Sequence, residues 1–257
     1  MREIIQAYRG MFHMFFFTPL VGEECSNTLL DKTLALDLSV FSDQCFSLAV
    51  SKTLGLGIVV GSSIVKVPQI LKIVAAENAD GVSLVAYVLE TLALIITLAY
   101  NIRKANPFST FGEIAFISLQ NVVILLLLTT YAKKYVSLLA TSVFFAATTY
   151  VLVFSDVITS ELLTSLQWVS IIVATASKVP QIYENWANGR TGQLSLVTVG
   201  LQFAGSAARI FTTLREVKDQ AILASFLIST ALNGVLFLQV LLSLTKAKKE
   251  EMKIKKE

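Results

Sequence analysis

Lys66, Lys178, Glu90, Gln202, Asn121, Asn233 and Arg209 are polar side chains standing inside stretches that are otherwise apolar. None is arranged for covalent chemistry. His13 is the single histidine, Cys25 and Cys45 precede the long apolar stretches, and no phosphate-cradling glycine loop or metal-spaced carboxylate pair occurs. What these groups offer is binding: ammonium groups suit an anion such as phosphate, and carboxamides donate and accept together. A carboxylate at Glu90 is costly in an apolar stretch unless paired or protonated, which makes it a functional candidate. The chain reads as a binding or transport protein rather than an enzyme, with no catalytic residue, no metal and no cofactor expected.

The two lysines open a motif that occurs twice. Lys66-Val67-Pro68-Gln69-Ile70 returns letter for letter as Lys178-Val179-Pro180-Gln181-Ile182, 112 residues on. The same step carries Ser83-Leu84-Val85 onto Ser195-Leu196-Val197, Arg103 onto Arg215, Glu90 onto Gln202 and Asn121 onto Asn233. A match held in register over that distance is a duplicated unit. Pro68 has no N–H for the carbonyl of Ile64, nor Pro180 for that of Ala176, so each is expected to kink its helix and free an acceptor. Pro68, Gln69, Pro180 and Gln181 are therefore the hinge candidates, against the plainer reading of two packed proline kinks. For the lysines the alternatives are an anion site and snorkelling to headgroups. For Asn121 and Asn233 they are a shared central pocket and ordinary interhelical hydrogen bonds. Arg209 either pairs with a carboxylate or reaches outward.

The elements that must position these groups are long and apolar. With 54% hydrophobic and 15% charged residues the chain is a multi-span membrane protein by composition, and a net charge of +3 with no basic face argues against nucleic acid. Seven stretches reach crossing length: 50–70, 82–101, 111–131, 135–154, 162–182, 194–214 and 221–242. Because the 112-residue step covers four of them, the fourth has no partner, and the expected architecture is all-α, 3+1+3, with parallel repeats. The expected divisions are a segment 1–49, a first three-helix repeat 50–134, a linker helix 135–161, a second repeat 162–245 and a basic tail 246–257. Met11–Val21 is too short to cross and reads as interfacial, with a cleaved signal peptide as the alternative. Cys25 and Cys45 are expected as unpaired thiols, a disulfide being the alternative if that end meets an oxidising lumen. Lys72, Lys133, Lys134, Arg190 and the tail outnumber Arg103, Lys104, Arg215 and Lys218, which predicts a luminal N-terminus and a cytosolic C-terminus. The final Lys253-Ile254-Lys255-Lys256-Glu257 resembles a dilysine retrieval signal of the endoplasmic reticulum.

The doubled Pro-Gln in this arrangement resembles the PQ-loop repeat family, related in architecture to the SWEET sugar facilitators and containing cystinosin-type exporters. Within it the chain is most similar to the mannose-phosphate-dolichol utilisation branch. Lys66-Val67-Pro68-Gln69, the region of Glu90, Asn106 to Glu113, Asn188 to Ser195 and Ala208 to Thr212 carry that resemblance. It implies an endoplasmic-reticulum membrane protein needed for use of dolichol-phosphate-mannose and dolichol-phosphate-glucose in N-glycosylation and related pathways. The implied partners are the lipid-linked monosaccharide, membrane lipid and dolichol-dependent glycosyltransferases. A facilitator of small soluble sugars or amino acids and a non-transporting adaptor for those enzymes are the alternatives.

Overall fold

The computed structural model describes residues 18–35, 37–78, 82–133, 135–176, 178–188 and 196–254, with side chains to 245. His13, most of the Met11–Val21 stretch, the 189–195 connection and the end of the dilysine-like tail lie outside the described residues. Every described element is helical. Helices α1 (Thr18–Val21) and α2 (Glu23–Leu34) lead through a 3-10 turn (Leu38–Ser42) into α3 (Gln44–Ser62) and, after a break, α4 (Val67–Ala76). Then come α5 (Leu84–Arg103), α6 (Phe108–Tyr131), α7 (Tyr135–Phe154), α8 (Ser160–Ala176), α9 (Val179–Asn188), α10 (Leu196–Glu216) and α11 (Gln220–Ile254). Short polar residues start several of them. Asp43 accepts from the Cys45 N–H, Ser83 from that of Ala86, and Asp219 from those of Ala221 and Ile222, each satisfying donors that a helix start leaves open.

The described chain contains six helices long and apolar enough to cross a membrane: Gln44–Ala76 and Ser160–Ala187 taken across their breaks, Leu84–Arg103, Phe108–Tyr131, Tyr135–Phe154 and Gln220–Thr245. The remaining expected stretch, 194–214, forms α10, which at 21 residues is long enough but less apolar. The reason is a polar stripe, Ser206, Arg209, Thr212 and Thr213, turned into buried positions while Val197, Leu201 and Leu214 are exposed. Polar inside and apolar outside is the reverse of a water-soluble helix. The cysteines also differ from the expected free thiols. Folding α2 back through the 3-10 turn brings the Cα atoms of Cys25 and Cys45 to 5.1 Å, and the two are joined as a disulfide.

Proline acts differently from the expected kink. In the first copy the helix stops at Ser62, residues 63–66 form a turn, and Pro68 falls in the first turn of a new helix, where its missing N–H is not needed. The Ile64 carbonyl is not left open, because the Val67 N–H donates to it at 3.2 Å. The second copy breaks at the same register, between Ala176 and Val179.

The helices close a ring. Helix α3 packs on α6, α6 on α5, α5 on α8, α8 on α11, α11 on α10, and α10 returns to α3, with α7 outside against α5 and α6. The 112-residue step maps α3, α5 and α6 onto α8, α10 and α11, so the α10–α3 and α5–α8 contacts are equivalent junctions. At the first, α3 and α6 approach closely through Gly55: a Cβ there would lie 2.5 Å from the Ser109 carbonyl oxygen.

Candidate functional site

Polar groups collect at two levels. The first is at the helix breaks. Gln120 on α6 bridges the break between α3 and α4: its Oε1 accepts from the Lys66 backbone N–H at 2.8 Å, and its Nε2 donates to the Ser62 carbonyl at 2.9 Å. In the second copy Gln239 on α11 plays a related part, donating from Nε2 to the Ile182 carbonyl at 3.0 Å. Gln69 is drawn elsewhere, accepting from the Tyr87 hydroxyl at 2.7 Å. Gln181 is half-buried on the first turn of α9, and both prolines are exposed.

The two break-side lysines have different partners. Lys66 Nζ lies 2.8 Å from Glu90 Oε1 and 4.8 Å from the centre of the Tyr87 ring. Lys178 Nζ donates instead to Asn233 Oδ1 at 2.6 Å. The Asn233 amide is held on its other side by the Gln202 carbonyl and the Ser206 hydroxyl, both at 3.2 Å, and by the Ser229 hydroxyl at 3.4 Å. The Gln202 side chain is exposed. Asn121 is fully buried and neither side-chain atom has a hydrogen-bond partner. Its equivalents of Ser206 and Ser229 are Leu94 and Ile117, which have no polar atom to give. Of the residues singled out in the sequence, Lys66 thus meets Glu90 and Lys178 meets Asn233. Each pair stays within its own copy.

The second level is at the bundle end that carries the disulfide, and here the copies do meet. Arg209, 3% exposed, donates from NH1 to the Ser109 carbonyl at 2.7 Å and from NH2 to the Glu113 carboxylate. Glu216 accepts from the hydroxyls of Ser51 and Ser109, both at 2.6 Å, and pairs with Lys52 at 3.0 Å. The network joins α3, α6 and α10. Of its members the sequence singled out only Arg209. Glu113 carried a signal, being a carboxylate within an expected span, whereas Glu216 and Lys52 sit at span ends where charge is ordinary. Gln120 and Gln239 had none, because a single amide in an apolar helix does not reveal which backbone group it faces.

Open spaces are found at two places. One, about 530 Å³, lies beside the first break and is lined by Pro68, Gln69, Lys72, Asn78 and Val82. The other, about 420 Å³, is a largely apolar groove between α5, α6 and α7, lined in part by Ile95, Leu126, Phe145 and Tyr150. Among the described residues no cluster suited to a metal ion occurs.

A multi-helix membrane protein made from two copies of a broken-helix unit, with polar groups at each break, is the class that this fold and these contacts define. The PQ loop repeat pattern matches residues 50–110 and 162–222, one 112-residue step apart. A human protein, solute carrier family 66 member 3, is 30% identical over 174 residues, spanning 65% of this chain and 81% of that relative. No solved structure matches the chain at a significant level. The chain belongs to the PQ-loop repeat family.

Proposed function

We propose that the chain is a membrane facilitator for dolichol-phosphate-linked mannose and glucose in the endoplasmic reticulum. Its two three-helix repeats, 50–134 and 162–245, are joined by a linker helix within 135–161 in a 3+1+3 bundle. The N-terminus is luminal and the C-terminus cytosolic. A disulfide at the start of the first span fits an oxidising lumen on that side, and the lysine-rich connections fall at the other end. The isoprenoid chain stays in lipid while the sugar phosphate enters the bundle, with Lys66 or Lys178 near phosphate and Asn121, Asn233, Glu90 and Gln202 near sugar hydroxyls. Arg209 belongs to the closed luminal end. Glycosyltransferases that use these lipids are the partners on the luminal face.

The observation that carries this reading is the pair of lysines at the two helix breaks, each tied to a polar group of its own repeat within apolar helices, Lys66 to the exposed Glu90 and Lys178 to the buried Asn233. Such groups cost too much in lipid to be retained as filler. The human relative's name, a solute carrier, favours a second reading, a facilitator of a small soluble solute. Purified protein in liposomes separates the two. Flipping of labelled dolichol-phosphate-mannose is the expected result, uptake of free sugar or amino acid replaces it with the second reading, and neither activity leaves only an adaptor role.

A further inference from the structure

The two break-side lysines differ in net charge balance. Lys66 is neutralised by Glu90, so that pair carries no net charge. Lys178 stands where the step from Glu90 brings Gln202, and its partner Asn233 is a neutral amide. Among the described residues no carboxylate pairs with Lys178, and Glu184, on the same helix α9, is exposed and makes no ion pair with it. Lys178 is itself half-buried. An ammonium has three donors, and Asn233 takes one. Because Asn233 is fixed from behind by Gln202, Ser206 and Ser229, it cannot turn to serve the others. A partly buried cation without a counter-ion is costly, and an anion that enters relieves the cost.

We propose that Lys178, held in place by Asn233, forms an anion site in the second repeat that takes a phosphate group, and that Glu90, whose equivalent is Gln202, fills the corresponding place in the first. An ammonium acts as a point charge toward a tetrahedral oxyanion, whereas a planar carboxylate is better matched by a guanidinium fork, which is absent from the Lys178 contacts. The phosphate is carried by a lipid or is free. This assignment rests on the reading of the break-side groups as a ligand site and decides between its two lysines.

The test is equilibrium binding of radiolabelled dodecyl phosphate to the purified full chain in neutral detergent. Wild type is expected to bind one equivalent saturably. Lys178→Met should weaken binding at least about tenfold, the scale of losing a hydrogen bond to a charged group. Gln202→Glu should do the same, because a carboxylate introduced at that exposed position captures Lys178 as Glu90 captures Lys66. Glu90→Gln should release Lys66 and raise the stoichiometry toward two. Melting curves identify any variant that fails to fold, and if Lys178→Met is one, Gln202→Glu decides. Displacement by millimolar inorganic phosphate identifies a free anion, and displacement by unlabelled dodecyl phosphate alone identifies a headgroup; either supports the site. It is overturned if wild type shows no saturable binding, or if the folded variants at 178 and 202 stay within twofold of wild type. An unchanged stoichiometry in Glu90→Gln overturns the role given to Glu90. Liposome flipping that fails while binding persists removes the transport reading alone, and flipping that survives Gln202→Glu removes the anion site alone.

Discussion

Where α10 meets α3 and α6, the contact is made by Arg209, Glu113, Glu216, Lys52 and Ser109. Where α5 meets α8 and α11, the equivalent positions are Thr97, Ser225, Lys104, Thr164 and Ala221, and the packing is done by Leu163, Tyr100, Ile95 and Ile222. Duplication supplied both junctions with the same backbone plan, and divergence filled one with ion pairs and the other mainly with apolar side chains, where the Tyr100 hydroxyl donates to Asp219 at 2.7 Å. The two fillings have different energetics. Apolar side chains gain through contact and shape, and losing one costs in proportion to the hole left behind. A buried ion pair contributes little net stability compared with well-packed apolar residues, yet removing one partner leaves a bare charge in a dry interface. The ionic junction is therefore the one that a single substitution can break.

The largest effect should come from Glu113→Ala, which strands Arg209 and should cost about 3–5 kcal/mol, whereas Ser225→Ala at the equivalent position should cost less than about 1 kcal/mol. Unfolding in detergent monitored by circular dichroism gives both values, and equal losses would remove the distinction between the junctions. Next is Gly55→Ala. The new Cβ would press on the Ser109 carbonyl that Arg209 holds, parting α3 from α6 at a cost of about 1–3 kcal/mol. The equivalent position, Gln167, already carries a large buried side chain whose Oε1 is unpaired, so Gln167→Leu should be neutral or stabilising.

The smallest effect concerns the helix starts that feed the two junctions. The segment before α3 is tethered by an ion pair, in which Asp43 meets the Lys32 ammonium and caps α3, whereas the segment before α8 is held by Arg103 donating to the Ile158 carbonyl at 2.6 Å. That bond and the Cys45 N–H hold the Asp43 carboxyl below its usual range. A lowered folded value means the contribution is complete above the unfolded carboxylate value of about 4 and disappears as pH falls through the folded one. The melting difference between wild type and Asp43→Asn should be constant from about pH 7 to 5 and close below about 4. A difference that widens on acidification would contradict the pairing.

Much of the skeleton was legible because it is written twice. Lys-Val-Pro-Gln-Ile located both breaks, and hydrophobic length located the six helices long and apolar enough to cross a membrane among the described residues. What failed was whatever depends on a single copy. Gln120 could not be read as the clasp of the first break, because its equivalent is Leu232 and the motif pointed to Gln69 instead. The ionic junction has no counterpart in the other copy, where Glu113 and Glu216 are matched by Ser225 and Lys104, so the repeat does not mark them. Helix α10 fell short in apolarity because its inward face carries that junction. The disulfide depended on a fold-back between α2 and α3 that apolar periodicity does not reveal.

Charge reversal across the ionic junction tests most directly that the two copies meet through these residues. Arg209→Glu and Glu113→Arg, each alone, put like charges together and should lower the melting midpoint sharply; the double variant restores attraction and should recover a large part of the loss. If the double variant is as unstable as the two single losses added together, Arg209 and Glu113 do not face one another, and the joined-copy account is wrong.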